Sequence, residues 1–363
     1  MEKARDHRID NLKGMLIVLV VFAHFCSLLG FENKNVSSVW GFINSFHMAS
    51  FLVISGFLSY NRVVNRSFGK TICKGLVPYF IAQFGLYILF MATGTQEEFL
   101  SFDPSLGVSW LRPYGALWYI FAISVYVLFT SINWDIFRDK LGKIFIFSIC
   151  VSVIAGYFYT IWYFRFTKLI TYYPFFIFGI ILRKTDKLKR PKNKGINSLA
   201  LLASFAVVVL FIRRFRGIIR LAHVFTMEEF GKYEFMFFKY SDACFTVGPI
   251  IRIISIAIAL IIAMSLLSLF PQRVTILSSL GKNSLYIYIG HWFLLKIINI
   301  LLLKHTGAST FPSSMPLYGS NLSIVLLFIA SFIIARIFSC KTVVRLLHPV
   351  LEPNIILNSS DTQ

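Results

Sequence analysis

Acidic side chains are scarce in this chain: 16 Asp and Glu stand against 36 Lys and Arg in 363 residues. No long apolar stretch holds a pair of carboxylates, which excludes a proton pump driven by such a pair in the membrane. Cysteine is sparse too. The 5 cysteines (Cys26, Cys73, Cys150, Cys244 and Cys340) are scattered, odd in number and free of CxxC or Cys/His ligand spacing. A disulfide framework or a zinc site is therefore not expected, and no metal is assigned. Charged residues of both signs together make up only 14% of the chain. Internal repeats, low-complexity tracts and a separate soluble domain are all missing.

What fills the chain instead is apolar. It is 57% hydrophobic and 17% aromatic, with 39 Phe and a mean hydropathy of +0.72. No soluble domain needs that much apolar surface, and runs of about 20 apolar residues mark transmembrane helices. Such runs are expected near 12–30, 39–60, 72–92, 114–132, 143–162, 169–183, 196–212, 250–270, 283–303 and 320–340. The fold class is thus all-α, a polytopic integral membrane protein of about ten transmembrane helices with both termini cytoplasmic. The first run is long, carries His24 and lacks a small-residue cleavage pattern, so it is read as a retained span. The sixth is short and contains Pro174 and Gly179, which suggests a kinked or partly re-entrant element.

The formal net charge of +20 raises the question of nucleic acid. Its placement argues against that partner, because the basic residues sit in short loops between apolar runs, as the positive-inside rule describes. The richest such loop runs from Arg183 and Lys184 to Arg190, Lys192 and Lys194, and is assigned inside. The connection carrying Glu97, Glu98 and Asp103 is assigned outside. A basic inner face attracts anionic lipid headgroups and any polyanionic, nucleotide-linked substrate. One long connection, 213–252, mixes Arg213, Arg214, Arg216 and Arg220 with Phe215, Ile218, Ile219 and Leu221. It reads either as an interfacial amphipathic helix or as a platform whose aromatics, Phe225 to Tyr240, stack on sugar rings.

Two ionisable residues share the first run. Lys13 and His24 are eleven positions apart, which in a helix leaves them about 20° apart around the axis and roughly 16 Å apart along it. His24 lies roughly 18 Å beyond the inner start of the span, past the midplane of the hydrocarbon core. His47, in the second and antiparallel run, is expected at a similar depth. Two imidazoles there make a proton-transfer site. The plainer alternative is a histidine that only hydrogen-bonds a neighbouring helix. Lys13, Lys70 and Lys74 near the inner surface either snorkel to lipid phosphates or join Arg183 and Lys184 in a phosphate-binding mouth. His291 follows an inner-side helix start by about eight residues and is read as structural.

The stretch from Arg8 to His24, with a basic residue, ten others and a histidine, resembles the first span of the acyltransferase-3 family of integral-membrane acyltransferases. Phe46-His47-Met48 with Ser55-Gly56-Phe57 resembles its second span. Leu117-Trp118-Tyr119, Tyr173-Pro174-Phe175-Phe176-Ile177-Phe178-Gly179 and Leu280-Gly281-Lys282-Asn283-Ser284-Leu285-Tyr286-Ile287-Tyr288 with His291 resemble three later motifs, in order. The likeness covers nearly the whole chain. Asn11-Leu12-Lys13-Gly14 is most similar to the branch of fucose 4-O-acetylases and capsular-polysaccharide O-acetyltransferases. Departures are Lys13 for Arg, Ala49 for Pro, and Lys70 and Lys74 where Arg is frequent; lysine offers a point charge where arginine offers a planar fork.

The resemblance implies a membrane domain over 1–345 with a short cytoplasmic tail at 346–363. It also implies an O-acyltransferase taking an acyl group from cytoplasmic acetyl-CoA, or another acyl-CoA, to a glycan or lipid-linked saccharide, with no metal. His24 would be general base or transient acyl acceptor, with His47 beside it. Lys13, Lys70, Lys74 and Arg183 would hold the CoA phosphates. The expected setting is the plasma membrane of a bacterium, among membrane lipids. A polytopic transporter or flippase of lipid-linked glycans shares the same composition and is the competing class.

Overall fold

The computed structural model describes residues 6–29, 34–95, 112–157, 165–186, 193–214, 238–311 and 320–352. Among these, regular structure is helical throughout. The helices are α1 (His7–Phe25), α2 (Lys34–Val64), α3 (Phe68–Thr93), α4 (Gly115–Ile132), α5 (Leu141–Ala155) and α6 (Phe166–Lys184). They continue with α7 (Lys194–Arg214), α8 (Phe238–Leu269), α9 (Ile276–Lys282), α10 (Ser284–Thr306), α11 (Asn321–Phe338) and α12 (Lys341–Leu351). Nine helices among the described residues are long and apolar enough to cross a membrane, and α5 is a shorter apolar helix at the place of the expected fifth span. The protein is a polytopic, all-α membrane protein.

Several sequence expectations fall on other residues. Glu97, Glu98, Asp103, Arg190, Lys192 and the 215–237 part of the long connection lie outside the described residues, as does the chain from 353 onward. The helix α12 runs across the position where the tail was expected to start.

The chain forms two compact units. One comprises residues 1–47, 191–217 and 258–347, the other 48–190, 218–257 and 348–363. In the first unit α1 is the central element. The side chain of Asp6 caps it by accepting from the Arg8 backbone N–H at 3.0 Å, and α9, α10 and α11 pack around it. Of the apolar window in α1, 72% is buried, against 17% in α11. A helix that is apolar all round and buried belongs in the middle; one equally apolar but exposed faces lipid.

Between spans there is no hydrophobic drive, because lipid tails are as apolar as leucine, so close backbone approach matters more. The first unit uses two glycines for it. A Cβ on Gly14 would come within 2.0 Å of the Leu277 carbonyl oxygen, and one on Gly281 within 1.9 Å of the Asp10 carbonyl oxygen. Beside them Asn11, fully buried, acts as a clasp. Its Nδ2 donates to the carbonyls of Pro271 and Arg273, both at 2.9 Å, and its Oδ1 accepts from the Thr275 and Ser278 hydroxyls. All of its hydrogen-bonding capacity is used, so the amide is buried without an unpaired group.

The second unit repeats the device. A Cβ on Gly56 of α2 would meet the Phe176 carbonyl oxygen at 2.0 Å, and one on Gly179 of α6 the Val53 carbonyl oxygen at 2.0 Å. Helix α6 is continuous through Pro174. Proline removes a backbone donor and disturbs the bonds around it. The Tyr126 hydroxyl donates to the Leu169 carbonyl at 2.5 Å and the Ser152 hydroxyl to that of Thr171 at 3.1 Å, the two carbonyls that flank that of Ile170, whose helical donor the proline removes. Ahead of Pro78, α3 opens into a π turn over Ile72–Leu76, closed by the Val77 N–H on the Ile72 carbonyl. Gly75 on that turn lies against Ser124 of α4.

Replacing Gly281 or Gly179 by Ala forces a methyl group into a backbone carbonyl and is expected to cost about 1–3 kcal/mol of overpacking. Gly142→Ala, where nothing lies within 4 Å of the added carbon, is the neutral control. Thermal unfolding of the purified protein in detergent reads both; equal melting temperatures for the three variants would refute this packing.

Candidate functional site

The site is built on α1 and α10 of the first unit. At the end of α1 the chain tightens into a 3-10 turn over Cys26–Leu29, and the Ser27 hydroxyl donates to the His24 carbonyl at 2.6 Å. His24 is half-buried. Its Nδ1 lies 3.0 Å from Nε2 of His291, which is fully buried. The two ring centroids are 5.2 Å apart and the ring planes differ by 7°. That separation leaves little beyond the two ring radii and the nitrogen contact. Both nitrogens therefore lie on the line between the centroids, and the rings meet edge to edge in nearly one plane. This is the direction in which an imidazole N–H and an imidazole lone pair point, so the contact is a well-aligned hydrogen bond.

The order of the protons follows from the far end of the chain of contacts. His291 Nδ1 lies 2.8 Å from the Ile287 carbonyl oxygen, and a carbonyl only accepts, so Nδ1 carries the proton. In the neutral ring Nε2 of His291 is then the acceptor, and the donor must be Nδ1–H of His24. The remaining nitrogen of His24, Nε2, holds the lone pair. A proton taken up there gives an imidazolium whose other N–H is already bonded to His291, the way a second group orients a catalytic base.

The expected pairing of His24 with His47 is not the contact just described. His47 lies in α2, is 2% exposed, and donates from Nδ1 to the Ile43 carbonyl at 2.7 Å. The partner found for His24 is His291, which depth counting had set aside as structural. That count started at the beginning of α10. The helix is preceded by α9, whose Gly281 touches the Asp10 backbone. Measured from that shared point, His24 is about 21 Å and His291 about 15 Å along their helices, the same gap of about 6 Å as before, and modest tilt brings the two level. The likeness of Leu280 to His291 to a known late motif was the signal that pointed to it.

The four expected cations fall in different places. Lys13 is half-buried in α1, next to Gly14. Lys70 and Lys74 are exposed on and beside the π turn of α3. Arg183, half-buried at the end of α6, sets its guanidinium 5.1 Å from the ring centroid of Phe57. Ser55 shares a 2.9 Å hydrogen bond with the Tyr119 hydroxyl, and Lys168 stands 4.9 Å from the ring centroid of Trp118. Among the described residues no group of three or more His, Cys, Asp and Glu side chains is placed to hold a metal ion.

Residues 6–340 match the family described as an acyltransferase domain. Among curated proteins, the chain is similar to the nodulation protein NolL of Sinorhizobium fredii, 27% identical over 226 residues, 57% of this chain and 56% of that one. It is also similar to the nodulation protein NolL of Mesorhizobium japonicum, 28% identical over 185 residues, 49% of this chain and 48% of that one. The chain thus spans about half the length of the curated relatives it matches. No solved structure matches it.

Nitrogen-15 NMR of protein labelled at histidine tests the proton order. His24 is expected to show a protonated Nδ1 and an unprotonated Nε2, and His291→Leu to release it into a mixture of both tautomers. A His24 tautomer unchanged by that substitution would remove His291 from the site.

Proposed function

The chain belongs to this acyltransferase family, and on that basis we propose that it is a membrane-embedded O-acyltransferase. It moves an acyl group, acetyl first among them, from cytoplasmic acyl-CoA to a hydroxyl of a cell-surface or lipid-linked glycan. The observation that carries the reading is the ordered pair of imidazoles in two apolar helices, His24 half-buried and His291 fully buried. An alcohol is a weak nucleophile at neutral pH, and ester formation from a thioester needs a base to take its proton. His24 Nε2 is that base. It accepts the hydroxyl proton as the oxygen attacks the thioester carbon, and returns it to the departing CoA sulfur.

The remaining assignments rest on charge. CoA carries several phosphates, and Lys70 and Lys74 are exposed cations on a π turn, a distortion frequent at functional sites. Arg183 adds a planar guanidinium and Lys13 a fourth cation, set on the same helix as the base. The predominance of basic residues in the loops assigned inward supports an inner-face entrance for the anionic donor and cytoplasmic termini. His47 serves substrate orientation from the second span. The setting is a bacterial plasma membrane, and the bacterial origin of the two relatives supports it.

The test is a deletion strain complemented with the wild type or with His24→Ala, read by NMR of its surface glycans. Wild type is expected to restore O-acetyl signals, and His24→Ala to lower acetyl transfer by about 10²–10⁴-fold. Unchanged O-acetyl content in the deletion strain would overturn the proposal.

A further inference from the structure

Trp292 follows His291 on α10 and does nothing in the reaction as written so far. Its side chain is 8% exposed, and its ring stands on edge to His24, with centroids 5.0 Å apart and planes at 62°. Among the described residues no acceptor lies within hydrogen-bonding reach of its buried Nε1–H. Buried indole N–H groups ordinarily have a partner, and one left without asks for a reason. Filling space is not a sufficient one, since a chain with 39 Phe meets that need elsewhere without a polar atom. One turn on, Lys296 holds its Nζ 5.0 Å from the centroid of the same indole. A cation over the ring draws on its π electrons and makes the N–H a stronger donor.

We propose that Trp292 is a further catalytic residue: its Nε1–H donates to the carbonyl oxygen of the acyl group during transfer. The inference rests on the acyl-transfer reading and supplies what that reading lacks, a donor for the charge that develops. As the acceptor oxygen bonds to the thioester carbon, its proton passes to His24 Nε2 and the carbonyl π pair moves onto oxygen. That oxygen takes the indole N–H. Collapse re-forms the C=O bond and breaks the C–S bond, and the sulfur leaves with the proton from His24. A donor held in place for this charge, in a site shielded from water, does not have to be reorganised when the charge appears. The ground-state thioester carbonyl is a weak acceptor and gains little from it.

The experiment compares wild type, Trp292→Phe and a protein with benzothienylalanine at position 292, which keeps the bicyclic shape and loses only the N–H. Each is reconstituted in nanodiscs with acetyl-CoA and surface polysaccharide from the deletion strain, and CoA release is followed. Both replacements are expected to lower kcat by about 10²–10³-fold with KM for acetyl-CoA unchanged. Lys296→Met is expected to lower kcat in the same direction by less. A wild-type kcat in the benzothienylalanine protein would overturn the role of Trp292 and leave the acyl-transfer reading standing. Absence of CoA release from the wild type would overturn both. A Trp292→Phe defect not shared by the isosteric protein would assign the residue to packing and overturn the proposal.

Discussion

One in-plane hydrogen bond, from Nδ1 of His24 to Nε2 of His291, organises the candidate site of this protein. It ties the end of a central helix to the middle of another and fixes which nitrogen of His24 carries the lone pair. In water two imidazoles at 3.0 Å would exchange protons and rotate freely. Here the Ile287 carbonyl holds one end of the series and the surrounding helices hold the planes within 7° of each other. Low local dielectric raises the penalty for any arrangement that leaves a ring nitrogen without a partner. The same penalty that makes buried imidazoles rare is what makes this pair directional.

That bond depends on how α9, which leads directly into α10, seats on α1, and this contact is made by residues with no chemistry of their own. Gly14 and Gly281 let backbones touch, and Asn11 locks the approach with bonds to two carbonyls and two hydroxyls. Most of the motifs that likened this chain to a known family turn out to be of this kind. Gly56 and Gly179 seat α2 on α6, and hydroxyls from Tyr126 and Ser152 bond the Leu169 and Thr171 carbonyls of α6. Where lipid competes equally for every apolar side chain, small residues and satisfied polar groups are the means of specifying one helix pairing over another.

Nine of the ten spans expected from hydropathy fall on helices long and apolar enough to cross a membrane, with the fifth falling on a shorter apolar helix among the described residues and the eighth starting further upstream than expected. Pro174 suggested a kinked or partly re-entrant element, and it lies inside a helix that runs from Phe166 to Lys184. The candidate base His24 was also legible, since a titratable side chain deep in an apolar run is conspicuous. Its partner was not. His47 was preferred on depth, a one-dimensional measure that assumes each helix begins at the membrane surface. On that measure His24 and His291 differ by about 6 Å, a gap that the tilt of packed helices closes and a count along one helix does not register. Trp292 had no signal in the sequence, where it is one tryptophan among 6.

Hydropathy, charge bias and motif order sufficed for the class of molecule, its spans and one candidate imidazole, because each is a property of a single segment against its solvent. Which second ring meets the first, which nitrogen holds the proton and which donor stands beside them are relations between segments distant in the chain. Such relations are set by crossing geometry, where a shift of an ångström makes or breaks a hydrogen bond, and only the packed structure decides them.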